Sequence, residues 1–343
     1  MISSTMSAAA WLASASAAAI FSAVSLLGAA SMQPAGSITV IDAPSNLGLR
    51  PPAPGKEPGA NKLAAALRKT GLVDHLRAHD AGAVPAPPYS PNPDLAVGFR
   101  NGTSLARFST DLATRLEPLL AERNFVLVLG GDCSVLVGTG AALKARGRYG
   151  LAFIDGHDDF SYVRDGKKYE GIFTAAGLDL ALATGNGPPQ LTDIKGRKPY
   201  FRTQDVVQIG LAREPEDHEF AMTETFEHSG IKAFPVEDIA RRGAVAIATE
   251  ARRKLEADAT KGFWIHLDAD VLNASIMPAV DSPNPRGISF EQLEQVLTTL
   301  LSSPKAVGLE VTIFDPDLDP DGHLAKAFAA ALERAFIASG RVR

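Results

Sequence analysis

Apolar and polar positions along this 343-residue chain fall into alternating blocks of two periods. Short apolar runs predict strands: SITVIDA (Ser37–Ala43), FVLVLGG (Phe125–Gly131), YGLAFIDG (Tyr149–Gly156), DVVQIGL (Asp205–Leu211), IKAFPVED (Ile231–Asp238), FWIHLDADV (Phe263–Val271) and AVGLEVTIF (Ala306–Phe314). Segments with apolar residues at helical spacing lie between them and predict helices. They are KLAAALRKTGLVDHLRAHD (Lys62–Asp80), SLARFSTDLATRLEPLLAERN (Ser104–Asn124), SVLVGTGAALKARG (Ser134–Gly147), AVAIATEARRKLEA (Ala244–Ala257), SFEQLEQVLTTLL (Ser289–Leu301) and LAKAFAAALERAFIAS (Leu324–Ser339). NLGLRPPAPGKEPGAN and the proline-rich AGAVPAPPYSPNPD read as loops. No internal repeat or interdomain linker interrupts the series. Strands alternating with helices imply an α/β fold, a doubly wound parallel sheet with its chemistry at the carboxyl ends of the strands.

The first 36 residues stand apart. AAAWLASASAAAIFSAVSLLGAASM is small and apolar, and no Lys or Arg precedes Arg50. Three readings remain open: an unstructured extension with translation starting near Met32, a signal peptide cleaved near Gly28-Ala29-Ala30, or a weak membrane anchor. Residues 1–36 are therefore taken as an extension, and 37–343 as one domain. A cytoplasmic location is expected, periplasmic if the extension is a signal peptide. The 45% hydrophobic fraction supports a sizeable core, and the net charge of −5 argues against nucleic acid or an anionic membrane as a partner. A single cysteine excludes an intramolecular disulfide.

Three predicted strand ends concentrate reactive groups. The Phe125 strand ends in GGDCSVLVG, carrying Asp132 and Cys133; the Tyr149 strand ends in Asp155, His157 and Asp159; the Phe263 strand carries His266, Asp268 and Asp270. On an extended strand residues i and i+2 share a face, so the D-x-D pair is expected to point one way, with His266 able to join it. Clustered carboxylates repel one another and are costly to bury unpaired. A pair of cations removes that cost, and a carboxylate–imidazole set suits Mn²⁺ among first-row dications. Two such ions can lower the pKa of a bridging water. The plainer alternatives are acids that cap helices and line turns, the reading favoured for Asp132, and a cysteine that is a small buried hydrophobe.

GGDCS, FIDGHDDF, HLDADVLNASIMPAVDSPNPRGIS and GLEVTIFDP, in this order, resemble the motifs of the arginase/agmatinase (ureohydrolase) family, and IDAPSNLGLRPP resembles its first strand. The resemblance runs from about Ser37 to the C-terminus. It implies a three-layer α/β/α fold with a mostly parallel central sheet, and a single catalytic domain over 37–343. It implies two Mn²⁺ per chain and a metal-bridging hydroxide that cleaves a C–N bond in a linear amidine or guanidino-type small molecule. It also implies a homo-oligomer, trimer or hexamer. Asp155, Asp159 and Asp268 match acids that bind or bridge the metals, while His157 and Asp270 match ligands of the second ion. Asp155, His157 and Asp159 are the residues expected to carry catalysis. Cys133 stands where the family's GGDHS has a histidine ligand. A thiolate there favours Zn²⁺, Co²⁺ or Ni²⁺ over Mn²⁺ and adds sensitivity to oxidation. A branch of the family acting on N-hydroxyarginine carries a similar cysteine.

The departures shape the functional expectation. Ser161–Gly185 contains no histidine where arginases carry a proton shuttle; Lys168, Tyr169 and Glu170 are the available replacements, otherwise read as solvated loop residues. Aligning GLEVTIFDP on Pro316 puts Ile313 where the family presents a glutamate to the substrate guanidinium, and Glu310 faces the other side. Asn273 and Arg286 replace a family Asp and Gly. Arginase itself is therefore not expected; the alternative is a degenerate member that binds a metal or ligand without turnover. DPDLDPDG imitates an EF-hand start, but its twelfth position is Phe328, so calcium is not expected. His75, His79, His218, His228 and His323 are read as surface or helix residues.

Overall fold

The β-branched run at Ile38–Asp42 (β1) opens the sheet, and seven more strands follow: β2 (His79–Ala83), β3 (Phe125–Leu129), β4 (Gly150–Ile154), β5 (Val206–Ile209), β6 (Lys232–Phe234), β7 (Phe263–Asp268) and β8 (Ala306–Thr312). In this computed structural model the described residues are Met1 and 37–342 except 122–123, 161–162, 165–166, 169–172, 213–225, 227 and 258, with only the backbone of 163–164 and 167–168. The readings of residues 2–36, of His218, of Tyr169 and Glu170, and of the Lys168 side chain lie outside that description. Residues 36–343 form one compact unit.

All neighbouring strands of the eight-stranded sheet pair in parallel, in the order β6-β5-β4-β7-β8-β3-β1-β2. The period of two sorts each strand onto two faces. Phe125, Leu127 and Leu129 of β3, with Phe263, Ile265 and Leu267 of β7, meet α1 (Leu63–Lys69), α5 (Ala244–Leu255), α6 (Phe290–Leu301) and α7 (His323–Ala338). Val126 and Val128 of β3, Leu151 and Phe153 of β4 and Trp264 of β7 meet α2 (Gly102–Ala121), α3 (Val135–Arg146) and α4 (Asp179–Ala183). The result is the expected three-layer α/β/α sandwich with its mostly parallel sheet in the middle. Among the described residues no helix is long and apolar enough to cross a membrane.

The helix expected over Lys62–Asp80 is broken. Gly71 adopts φ 87°, in the left-handed region that glycine tolerates, and ends α1 after Thr70; a short turn of helix follows at Leu72–His75. The chain then runs out as β2, whose His79 and Asp80 lie opposite Thr39 and Val40 of β1. Its sequence, HDAGA, is mostly exposed and lacks the apolar alternation of a strand, which only a sheet edge tolerates. Arg68 fastens this edge, reaching Asp42 at 2.8 Å and Asp80 at 2.9 Å.

Trp264 is fully buried against β8, where Gly308 makes room for it: a Cβ on Gly308 would stand 2.0 Å from the indole and 2.5 Å from the Val126 carbonyl oxygen. Trp264→Ala is expected to cost about 3–5 kcal/mol in urea denaturation. A loss below about 1 kcal/mol would mean the surrounding layer collapses into the void.

Candidate metal centre

The central strands β4, β7, β8 and β3 deliver their carboxyl ends to one crevice, and the turns that leave them place the reactive groups. After β3 the chain passes Gly131, where a Cβ would lie 1.8 Å from the Ser45 carbonyl oxygen; only glycine allows this approach. Asp132 then accepts from Ser45 Oγ (2.9 Å) and from the Gly48 (3.1 Å) and Ser134 (2.9 Å) amides. These bonds pin the loop after β1 to the turn after β3, the structural role expected of Asp132. The pinned turn buries Cys133, whose Sγ donates to Asp268 Oδ2 at 2.6 Å.

Asp155 is the first residue beyond β4. Its Oδ1 accepts the His157 amide at 2.6 Å, while its buried Oδ2 has no hydrogen-bond partner among the described residues. Asp270 holds the other side of this turn: Oδ1 accepts the Gly156 amide at 3.2 Å and Oδ2 lies 2.9 Å from His157 Nδ1. The His157 side chain keeps 42% of its surface exposed and marks the open side of the cluster.

The extended-strand argument for D-x-D holds only in part. Trp264, His266 and Asp268 do share one face of β7, but the strand ends at Asp268 and Asp270 lies in the 3₁₀ turn Ala269–Val271. Asp268 Oδ1 accepts the Asp270 amide at 2.6 Å, and this cap turns Asp270 away from its neighbour. The donors therefore gather, among the described residues, into Cys133–His266–Asp268 and Asp155–His157–Asp270, with all donor atoms within 4.8 Å of one another in each. Asp159, at φ 39°, belongs to neither group.

Sequence reasoning missed Asp179 and undervalued His266. Asp179 is the fully buried first residue of α4, in a stretch given no element of its own. A lone acid ahead of the apolar LALA was the available signal. His266 is fully buried and lies parallel on Phe153, ring centroids 4.8 Å apart. Glu310 joins His266 and Thr139 beneath the site. A third acidic group, Asp319, Asp321 and His323, is partly exposed. There Asp319 accepts the Leu324 and Ala325 amides and starts α7, whose exposed first residue, His323, contacts Asp319 and Asp321.

Burial raises Asp155 and Asp268 well above the carboxylate range, and neighbouring carboxylates add to it. Burial likewise lifts Asp159 to about 8 and pushes the Cys133 thiol well up, with Asp268 adding to the latter. Asp270 would rise by burial too, but the His157 imidazolium holds it below its ordinary value. Asp270 in turn raises His157 to about 11. Clustered buried acids with an unpaired buried oxygen among them fit a cation site.

A sequence model of the arginase family matches residues 37–338. The chain belongs to the arginase family. It is similar to an arginase from Bacillus caldovelox, 27% identical over 308 residues that cover 87% of this chain and 97% of that one. The crystal structure of Bacillus caldovelox arginase superposes with a TM-score of 0.76 at 25% identity, covering 88% and 98% of the two chains. A formimidoylglutamase from Bacillus subtilis shares the fold, with a TM-score of 0.66 at 18% identity over 90% and 88% of the chains.

Ile313 is buried, adopts φ 69°, and donates its amide to the Gly131 carbonyl oxygen at 2.8 Å. A β-branched residue in the left-handed region is strained by about 1–3 kcal/mol. The backbone keeps a costly bend there while the side chain offers no charge.

Proposed function

We propose that this protein is a metal-dependent hydrolase that cleaves a C–N bond, other than a peptide bond, in a linear amidine or related small molecule, and that it is not an arginase. The observation that carries the reading is the convergence of Cys133, Asp155, His157, Asp268 and Asp270 at the ends of three parallel strands of an arginase-family chain, with Asp155 Oδ2 buried and unpaired among the described residues. The family resemblance adds Asp159 as a ligand and the expectation of two ions and a homo-oligomer.

The donor chemistry fits dications. Asp155, His157 and Asp270 suit Mn²⁺, whereas Cys133 biases its own group towards Zn²⁺ or Co²⁺. Bound there, the ions would supply Lewis acidity and bring the pKa of a water near neutrality. The protein's own groups do the rest. Asp270 orients the His157 ring through its 2.9 Å contact, and the exposed edge of that ring faces the side from which a small molecule can enter. The pinned turns at Asp132 and Asp268 fix the ligand positions, so little reorganisation accompanies binding.

Substrate choice follows from Ile313. A guanidinium wants a carboxylate partner, and position 313 supplies an apolar side chain. A neutral or differently charged amidine fits better. The test is a panel of guanidino, amidino and formimino compounds with Mn²⁺, Zn²⁺ or Co²⁺ added. Turnover of a substrate other than arginine supports the reading; no turnover with any of them leaves a metal-binding protein without catalysis, the reading favoured by the same apolar residue at 313. Ile313→Glu is expected to raise kcat/KM for guanidino compounds relative to neutral amidines by about 10-fold or more. An unchanged ratio would show that this position does not meet the substrate.

A further inference from the structure

Position 133 has lost an imidazole, and the fold holds another one beside it. His266 lies on the same face of β7 as Asp268 and is fully buried. Its ring is fixed from two sides: it stacks on Phe153 with an interplanar angle of 7°, and Nδ1 sits 2.7 Å from Glu310 Oε1. Glu310 is itself held, its Oε2 accepting Thr139 Oγ1 at 2.8 Å. In the neutral ring, an Nδ1–H donated to that carboxylate leaves the Nε2 lone pair free for a metal. That Nε2 has no hydrogen-bond partner among the described residues. It lies 3.5 Å from Asp179 Oδ2, a second buried acceptor that is also unpartnered among them. A dication between these two atoms would satisfy both. A carboxylate behind the distal nitrogen of a histidine is the usual support of a metal ligand.

We propose that Cys133, His266 and Asp268, with Asp179 on the fourth side, form a thiolate–imidazole–carboxylate site for a dication of the zinc or cobalt type. The imidazole that the family resemblance places at position 133 is thereby supplied by β7. Three of the donors lie within 4.8 Å of one another, Asp179 approaches from the His266 side, and Phe153 covers one face of the His266 ring. A soft thiolate with one imidazole in such a setting suits tetrahedral Zn²⁺ or Co²⁺ over Mn²⁺. Asp155, His157 and Asp270 form the harder donor group beside it. The inference rests on the metal-binding part of the proposed function and not on turnover.

The test uses the full-length protein, dialysed against chelator and titrated with Co²⁺ alone. The expected result is a thiolate-to-cobalt charge-transfer band together with intense tetrahedral ligand-field absorption. His266→Ala is expected to lose the tetrahedral spectrum and weaken Co²⁺ binding by about 100-fold or more, and Glu310→Gln by about 10-fold through the supporting bond. Asp179→Asn, which keeps the volume should the alanine variant misfold, is expected to weaken binding and shift the visible bands. Cys133→Ser should remove the charge-transfer band, shift the ligand-field bands and weaken binding, and Asp270→Asn should leave the whole spectrum while one ion per chain is lost. A thiolate–cobalt spectrum unchanged in both His266→Ala and Asp179→Asn would overturn the site, meaning that a proton alone joins His266 to Asp179. A full spectrum without turnover of any amidine supports the site and sinks the hydrolase reading. Turnover with no thiolate–metal band does the reverse.

Discussion

Asp155→Asn is expected to lower turnover of any substrate found by about 10³-fold, with little change in fold. Asp155 sits at the turn where the two donor groups approach each other, and its Oδ2 is the buried oxygen that lacks a hydrogen-bond partner among the described residues. An amide there presents either a weaker oxygen donor or an N–H, and neither replaces a carboxylate towards a dication. Removing one preorganised electrostatic contact at a reacting centre costs on the order of 10²–10³ in rate, and a shared metal ligand lies at the upper end. Stability moves the other way. In chelator-treated protein the substitution removes one of several mutually repelling buried acids, so the variant melts at the same or a higher temperature than the wild type. Added Mn²⁺ or Zn²⁺ raises the wild-type melting temperature, because a ligand at 1,000 times its Kd contributes about 4 kcal/mol, and raises the variant far less. An unchanged rate in Asp155→Asn would place the chemistry elsewhere and favour the non-catalytic reading.

Much of this was legible in the chain. Continuous apolar runs such as FVLVL gave buried parallel strands, because burial on both faces removes alternation and leaves only length and β-branching to read. Where the chain broke its own period, reading failed: KLAAALRKTGLVDHLRAHD looks helical throughout, but Gly71 stops it and an edge strand of polar residues follows. The strand-end acids were found because reactive residues recur at fixed offsets there. Their grouping was not, since the extended period of two ends at Asp268 and a side-chain cap redirects Asp270. Asp179 and His266 were hidden for a different reason. Asp179 is a single polar residue in an apolar element, and the role of His266 shows only when a residue distant in sequence is placed against it, as Glu310 is, 44 residues on.

The same buried acids set a pH dependence whose sign depends on the metal. Asp155, Asp159, Asp179 and Asp268 all have folded-state pKa values raised by burial, Asp159 to about 8. Unfolded, they ionise near pH 4. Between these limits the folded state holds more protons than the unfolded one, so their stabilising contribution is complete below about pH 4 and is lost as pH rises through the folded-state values. The slope is about 1.4 kcal/mol per pH unit for each fully linked proton. Asp270 behaves oppositely: His157 holds it low, and its contribution, present above the ordinary carboxylate range, is lost only in acid. Chelator-treated protein is therefore expected to melt at progressively lower temperature from pH 5 to about 8. A bound dication displaces those protons, so metal affinity rises with pH and the metal-loaded protein escapes the decline. Melting curves with chelator and with Zn²⁺ across this range measure the gap, and calorimetry in two buffers of different ionisation enthalpy counts the protons released. A gap that stays constant with pH, and no proton release, would mean that the metal does not bind to these carboxylates, whatever else it stabilises.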